Sequence, residues 1–268
     1  MNKFNFNRFG KVVVRDFHNA CTLYGMSMLI MVLVPSAMWL MGLVFGTHDP
    51  DDGRFNIFGR HMVVVLMAYL TAMIAPLKIY NSCNLKGRGN YFAMLPATLG
   101  EKFCSMLLYC FIVCPTVVYC GAYVVDTLLT LLPFGPYHDF LWERPGWLAD
   151  LGEDIPFGHW QLFVMFATQM CMYSAIFMFA NTIFKKHKFI FTVLWLMLIS
   201  YAVSILLIPV FINFSWDGSW LGTVANWFED KGEEQLFSIL FRVGVSLNVV
   251  TAAIFTFFTY RRLKKMQY

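Results

Sequence analysis

Two ionisable side chains, Asp126 and Arg242, sit inside long apolar runs of this 268-residue sequence. Hydrocarbon does not solvate charge, so such residues are candidates for ion or proton pathways. Each lies near the end of its run, where anchoring at the membrane surface competes with function, and Arg242 can extend its stem outward. A pair between the two is conceivable, with nothing in the sequence to favour it. Three uncharged polar residues lie deeper, Gln169, Asn181 and Asn248. In membranes such groups bond across helices more often than they bind a substrate. Covalent chemistry is not signalled. There is no His-Glu-x-x-His, no Gly-x-Ser-x-Gly, no second intramembrane acid to partner Asp126, and no Gly-x-x-x-x-Gly-Lys-Ser/Thr phosphate cradle. The chain is therefore expected not to be an enzyme and to hold no metal or cofactor of its own. The seven cysteines include no Cys-x-x-Cys and read as thiols in helices or near the cytosolic face.

The elements that must position these groups are membrane spans. Hydrophobic residues make up 59% of the chain and charged residues 13%, against roughly 25% charged in soluble domains. A span needs about 20 apolar helical residues. Six runs qualify, at about 24–46, 61–80, 103–128, 159–184, 189–211 and 236–260. In lipid the backbone must satisfy its own hydrogen bonds, so these are helices. The expectation is an all-α membrane protein, a single transmembrane domain over 1–268. The first run is too long for a cleavable signal. Prolines 35, 76, 115 and 209 fall within runs and can kink them.

Direction follows from lysine and arginine. With the N-terminus inside, fifteen of the twenty basic residues fall on the cytosolic side, and thirteen of the sixteen acids fall in three outer loops, 47–60, 129–158 and 212–235. Asp16 and Glu101 are the inner acids. Both termini are expected in the cytosol, at a multi-pass site in a bacterial cytoplasmic (inner) membrane. No basic face suited to nucleic acid is present. The third outer loop carries Trp216, Trp220 and Trp227, which suit equally a segment that dips into or lies along the outer interface and an ordinary loop with interfacial anchors.

Residues 8–21 have helical periodicity. Phe9, Val12, Val13, Phe17, Ala20 and Cys21 fall on one side, and Arg8, Lys11, Arg15, His18 and Asn19 on the other. Basic residues opposite aromatic ones suit a helix in the cytosolic interface, in contact with the lipid bilayer.

Between the second and third runs lies "LKGRGNYFAMLPATLGEKFCSMLL". Gly87 and Gly89 break the helix around Arg88, Asn90 can cap a new turn, and Pro96 ends it. Thr98 and Glu101 have capping-box spacing and start the next helix. Tyr91, Phe92, Met94 and Leu95 are too apolar for an unattached loop. This stretch resembles the first cytosolic loop of ABC-2-type transporter permeases: a charge beside glycine, a short apolar helix, Leu-Pro, a small or hydroxyl residue, then a basic residue opening the third span. The resemblance extends to the basic amphipathic start, the six spans and the cytosolic ends, while the second cytosolic loop, "FKKHKF", is very short.

The resemblance implies a coupling helix at residues 89–95, formed around Arg88, Asn90, Tyr91, Phe92, Met94, Leu95 and Pro96, with Glu101 and Lys102 at its base. It would dock on a separate ABC ATP-binding subunit, which would carry ATP and Mg. The resemblance further implies a second permease copy or a related permease, as homodimer or heterodimer. The function expected from it is a permease subunit exporting a lipidic, amphipathic or peptide-like compound. The alternative is a six-span scaffold or sensor that recruits a partner without transport.

Overall fold

The computed structural model describes residues 4–45, 53–84, 96–133, 137, 140–141, 159–216 and 219–266. Among the described residues the regular structure is helical throughout, with no strand. Seven helices follow one another: α1 Phe6–Leu23, α2 Gly25–Phe45, α3 Gly53–Ile79, α4 Leu99–Thr130, α5 His159–Ile183, α6 Lys188–Trp216 and α7 Ser219–Met266. Five segments are long and apolar enough to cross a membrane: Gly25–Val44, Gly59–Ile79, Leu99–Thr130, Phe163–Ile183 and Phe241–Lys265. The described apolar part of α6, Lys188–Ala202, is shorter.

The Asn5 side chain accepts from the Asn7 N–H at 2.9 Å and caps α1. A single residue, Tyr24, separates α1 from α2, and its N–H still reaches the Ala20 carbonyl at 3.0 Å. The buried side of α1 is Val12, Asp16 and Ala20, spaced four apart. Phe6, Val14 and Phe17 turn away from the protein, 81%, 70% and 57% exposed. The apolar residues expected on one side are thus divided between two faces, and an acid lies in the middle of the buried one. One face of α1 thus rests on protein and one apolar face is uncovered.

The helices pack closely where small residues allow it. Ala68, Ala72 and Ala75 of α3 and Ala175 of α5 are fully buried, as small residues at membrane helix contacts usually are. Gly121 of α4 lies against Val32 of α2, and a Cβ added there would sit 3.0 Å from a Val32 methyl. The main core gathers at one end of the bundle, its foot. There Ala20, Tyr80, Phe103, Tyr109 and Met178 meet Leu263 of α7. A smaller cluster of Val64, Ala122 and Leu141 lies toward the opposite end, the head. Large apolar side chains of α6 and α7, such as Met197, Leu198 and Leu247, are exposed, as lipid-facing positions would be.

Two expectations are corrected. Charge and tryptophan content predict an outer loop over 212–235, but α6 runs on to Trp216 and α7 begins at Ser219. Glu, Lys, Gln, Leu and Ala are strong helix formers, and a tract rich in them continues a helix that charge alone would assign to a loop. At 48 residues, α7 is about 72 Å long, over twice the thickness of a hydrocarbon core. Charge counting also puts Arg60 in the first outer loop, but α3 starts at Gly53 and carries Arg60 as a buried helical residue.

Candidate functional site

The foot of the bundle brings together α1, the end of α3, the start of α4 and the α5–α6 turn. Thr98 caps α4 in a complete capping box. Glu101 N–H donates to Thr98 Oγ1 at 3.3 Å, and Thr98 N–H donates to Glu101 Oε2 at 2.9 Å. The second carboxylate oxygen reaches α1, accepting the Asn5 N–H at 2.8 Å and Arg8 Nη2 at 3.2 Å. One fully buried carboxylate thus caps two helices and joins them. Lys102 beside it is buried as well.

One turn inward, Asp16 of α1 accepts from Tyr80 at 3.0 Å and from Ser105 at 2.7 Å, and Tyr109 donates to the Val13 carbonyl at 2.8 Å. These bonds fasten α1 across α3 and α4. Burial pushes the Asp16 carboxyl upward, against the pull of the Ser105 and Tyr80 hydroxyls and the Arg15 charge. Burial likewise pushes the Cys83 thiol up to about 12, which makes it a poor nucleophile.

Asn181 of α5 donates to the Pro76 and Tyr80 carbonyls at 3.1 and 2.9 Å, capping the end of α3. Lys188 donates to Asn181 Oδ1 at 2.6 Å and to the Asn81 carbonyl at 3.2 Å. A cation at the negative end of α3 also suits the helix dipole. Arg262 of α7 donates to the Thr182 carbonyl at 3.0 Å, so the end of α5 is capped in the same manner.

At the head, Asp126 pairs with Arg60. Nε donates to Oδ1 at 3.0 Å, Nη2 donates to Oδ2, and Nη2 also meets Thr130 Oγ1 at 3.0 Å. The guanidinium lies 3.8 Å from the Tyr137 ring centroid. Asp126 is therefore a buried member of an α3–α4 clamp rather than a surface anchor, and its partner is not Arg242, which is exposed on α7. A bidentate, stacked geometry is one arginine favours.

Of the remaining residues singled out in the sequence, Gln169 accepts from Tyr69 at 3.0 Å, between α3 and α5. Asn248 is half-buried on α7. Lys11 and Phe17 are exposed, and Phe9, Val13 and Arg15 are half-buried. Pro96 is exposed at the mouth of α4. Arg88, Asn90, Tyr91, Phe92, Met94 and Leu95 lie outside the described residues. Sequence reasoning missed Asp16, Tyr80, Ser105, Arg60 and Ser174. Asp16 had a readable signal, since it lies midway between Val12 and Ala20 at helical spacing. Among the described residues no cluster of His, Cys, Asp or Glu could hold a metal. No family model, no curated protein and no solved structure matches the chain.

Proposed function

We propose that the chain is the membrane-spanning subunit of an ATP-driven transporter of the ABC-2 permease type. In this reading α6 completes six spans, α1 lies in the cytosolic interface, and both termini face the cytosol of a bacterial inner membrane. A separate subunit supplies ATP and Mg, and a second permease copy or a related one completes the pathway. The cargo is a lipidic, amphipathic or peptide-like compound, since few charges lie on the spans.

The observation that carries the reading is the Glu101 junction. The apolar segment ending at Leu95 runs into Pro96 and then into a capped helix start whose carboxylate also holds α1. A partner gripping that segment would pull on α4 through Pro96 and on α1 through Asn5 and Arg8. The Tyr80–Asp16–Ser105 bonds would carry the same displacement to α3. Such a partner shifts the equilibrium between pathway states only through unequal affinity for them. The uncovered apolar face of α1 and its basic edge support the interfacial placement.

The test is purification of the tagged full chain from its native membranes in mild detergent. The expected result is a co-purifying subunit with a phosphate-cradling loop, whose ATP hydrolysis is lost when Tyr91, Phe92 and Leu95 are replaced by serine while the thermal stability of the permease holds. A folded chain that purifies with no ATP-binding subunit, or a triple variant with full hydrolysis, overturns the assignment. Recruitment of a partner without hydrolysis would identify the scaffold or sensor instead.

A further inference from the structure

Proline breaks α3 and α4 within the same three-helix contact. Pro76 has no N–H, so the Ala72 carbonyl one turn earlier loses its helical donor. In α4 the turn Leu108–Val113 is a π turn, and the Cys114 N–H reaches back five residues to the Tyr109 carbonyl. In that register the donor for the Cys110 carbonyl would be residue 115, which is again proline. Two buried carbonyls on neighbouring helices are thus left without a backbone partner. A single side chain on the third helix meets both: Ser174 Oγ of α5 lies 2.9 Å from the Ala72 oxygen and 3.0 Å from the Cys110 oxygen.

A serine hydroxyl has one proton. It can satisfy one of the two carbonyls fully, or share itself between them weakly. Above and below this point α3 and α4 are held by stronger ties. Arg60–Asp126 clamps them at the head, about 18 Å along α3 from Ala72 and about 24 Å along α4 from Cys110. Asp16 clamps them at the foot by way of Tyr80 and Ser105. Firm ends and an under-supplied middle are the makings of a bend. Kinks in membrane helices are expected at prolines and π turns, and here one of each kind of break stands beside the other.

We propose that α3 and α4 share a hinge pinned by Ser174, whose hydroxyl turns its one hydrogen bond from the Ala72 carbonyl to the Cys110 carbonyl as the pair bends. The half-pairs above and below move as units, each held by its own clamp. The hinge belongs to the helices themselves and stands or falls without reference to transport.

The experiment is amide hydrogen–deuterium exchange on the full chain in lipid nanodiscs. Ser174→Ala removes the pin. Exchange in peptides covering 68–77 and 108–116 is expected to rise roughly fivefold, as for one lost buried hydrogen bond, while 60–66 and 120–128 stay at wild-type rates. Pro115→Ala supplies the missing amide in α4, so exchange in 108–116 is expected to fall. In the Pro115→Ala background, Ser174→Ala should then loosen only the α3 peptide. The hinge is overturned if Ser174→Ala leaves both middle peptides unchanged or loosens all four alike. It is also overturned if Pro115→Ala fails to slow exchange in 108–116, a result that can be read even where Ser174→Ala does not fold.

Discussion

The clamp at the head offers the sharpest quantitative test of this structure. Arg60 and Asp126 have side chains 2% and 1% exposed, and the guanidinium donates two hydrogen bonds to the carboxylate. Thr130 adds a third bond to the guanidinium, and Tyr137 stacks on it. Removing one member leaves the other charged, buried and poorly partnered, which costs about 3–5 kcal/mol. Arg60→Met and Asp126→Leu are each expected in that range, measured by reversible unfolding in mixed micelles. The double variant replaces a buried ion pair by packed apolar atoms, an exchange that is commonly neutral or stabilising by about 1–4 kcal/mol. The coupling energy of the cycle should therefore be at least about 6 kcal/mol, since the two single losses should not add. Arg60→Lys keeps the charge but loses the fork and the flat face toward Tyr137, so it should fall between wild type and Arg60→Met. If each single change costs under about 1 kcal/mol, as for exposed pairs, or if the two losses add, the clamp does not bind α3 to α4 as described.

Three further outcomes follow from named contacts. Asp16 has a native pKa raised above the unfolded value of about 3.9, chiefly by burial. Its contribution to stability is therefore full below that value and is lost as pH rises through the native pKa. Asp16→Asn should gain on wild type across that window and level off above it in a pH series of thermal melts, and a flat gap would contradict the burial argument. Glu101→Ala leaves Thr98 as the cap but removes the carboxylate's half of the capping box and its bonds to Asn5 and Arg8; it should cost up to about 2 kcal/mol and speed proteolysis within α1. Glu101→Gln has one acceptor oxygen in place of two, so it can keep the Thr98 N–H bond while losing those from Asn5 and Arg8; it should free α1 at a smaller cost to α4 than Glu101→Ala, and equal effects from the two variants would argue against the joint. Gly121→Ala should destabilise by about 1–3 kcal/mol through overpacking against Val32, and Val32→Ala in the same chain should restore most of it; a failed rescue would show that α2 and α4 do not meet there.

The parts of this fold that could be read from the sequence are those governed by short-range rules. Thr98 and Glu101 announce a capping box by spacing alone, and the box is present. Four apolar runs, at 24–46, 61–80, 103–128 and 159–184, coincide closely with helices, because a run of that length with at most one charge has few other ways to satisfy its backbone. What escaped notice depends on which residue of one helix faces which residue of another. Arg60 looked like one more outer charge, because counting basic residues records their side of the membrane and not their direction. Its partner is sixty-six residues away, with no local pattern to join them. Helix α7 escaped for a different reason: acidic, tryptophan-containing segments resemble loops in charge but helices in propensity, and the backbone follows propensity.

Ser174 shows the limit most clearly, since a lone serine in an apolar span is ordinarily a small packing residue. Its importance arises only because Pro76 and Pro115, thirty-nine residues apart in sequence, leave the Ala72 and Cys110 carbonyls facing it without their helical donors. The two prolines were visible as possible kinks taken one at a time. That they break neighbouring helices against a common third one, and that the third carries one proton for two acceptors, is a fact about juxtaposition. The polar residues that hold this membrane bundle together are few, and nearly all act on carbonyls or charges of another helix. Their types can be counted from the chain, while their consequences are set by which backbone each one touches.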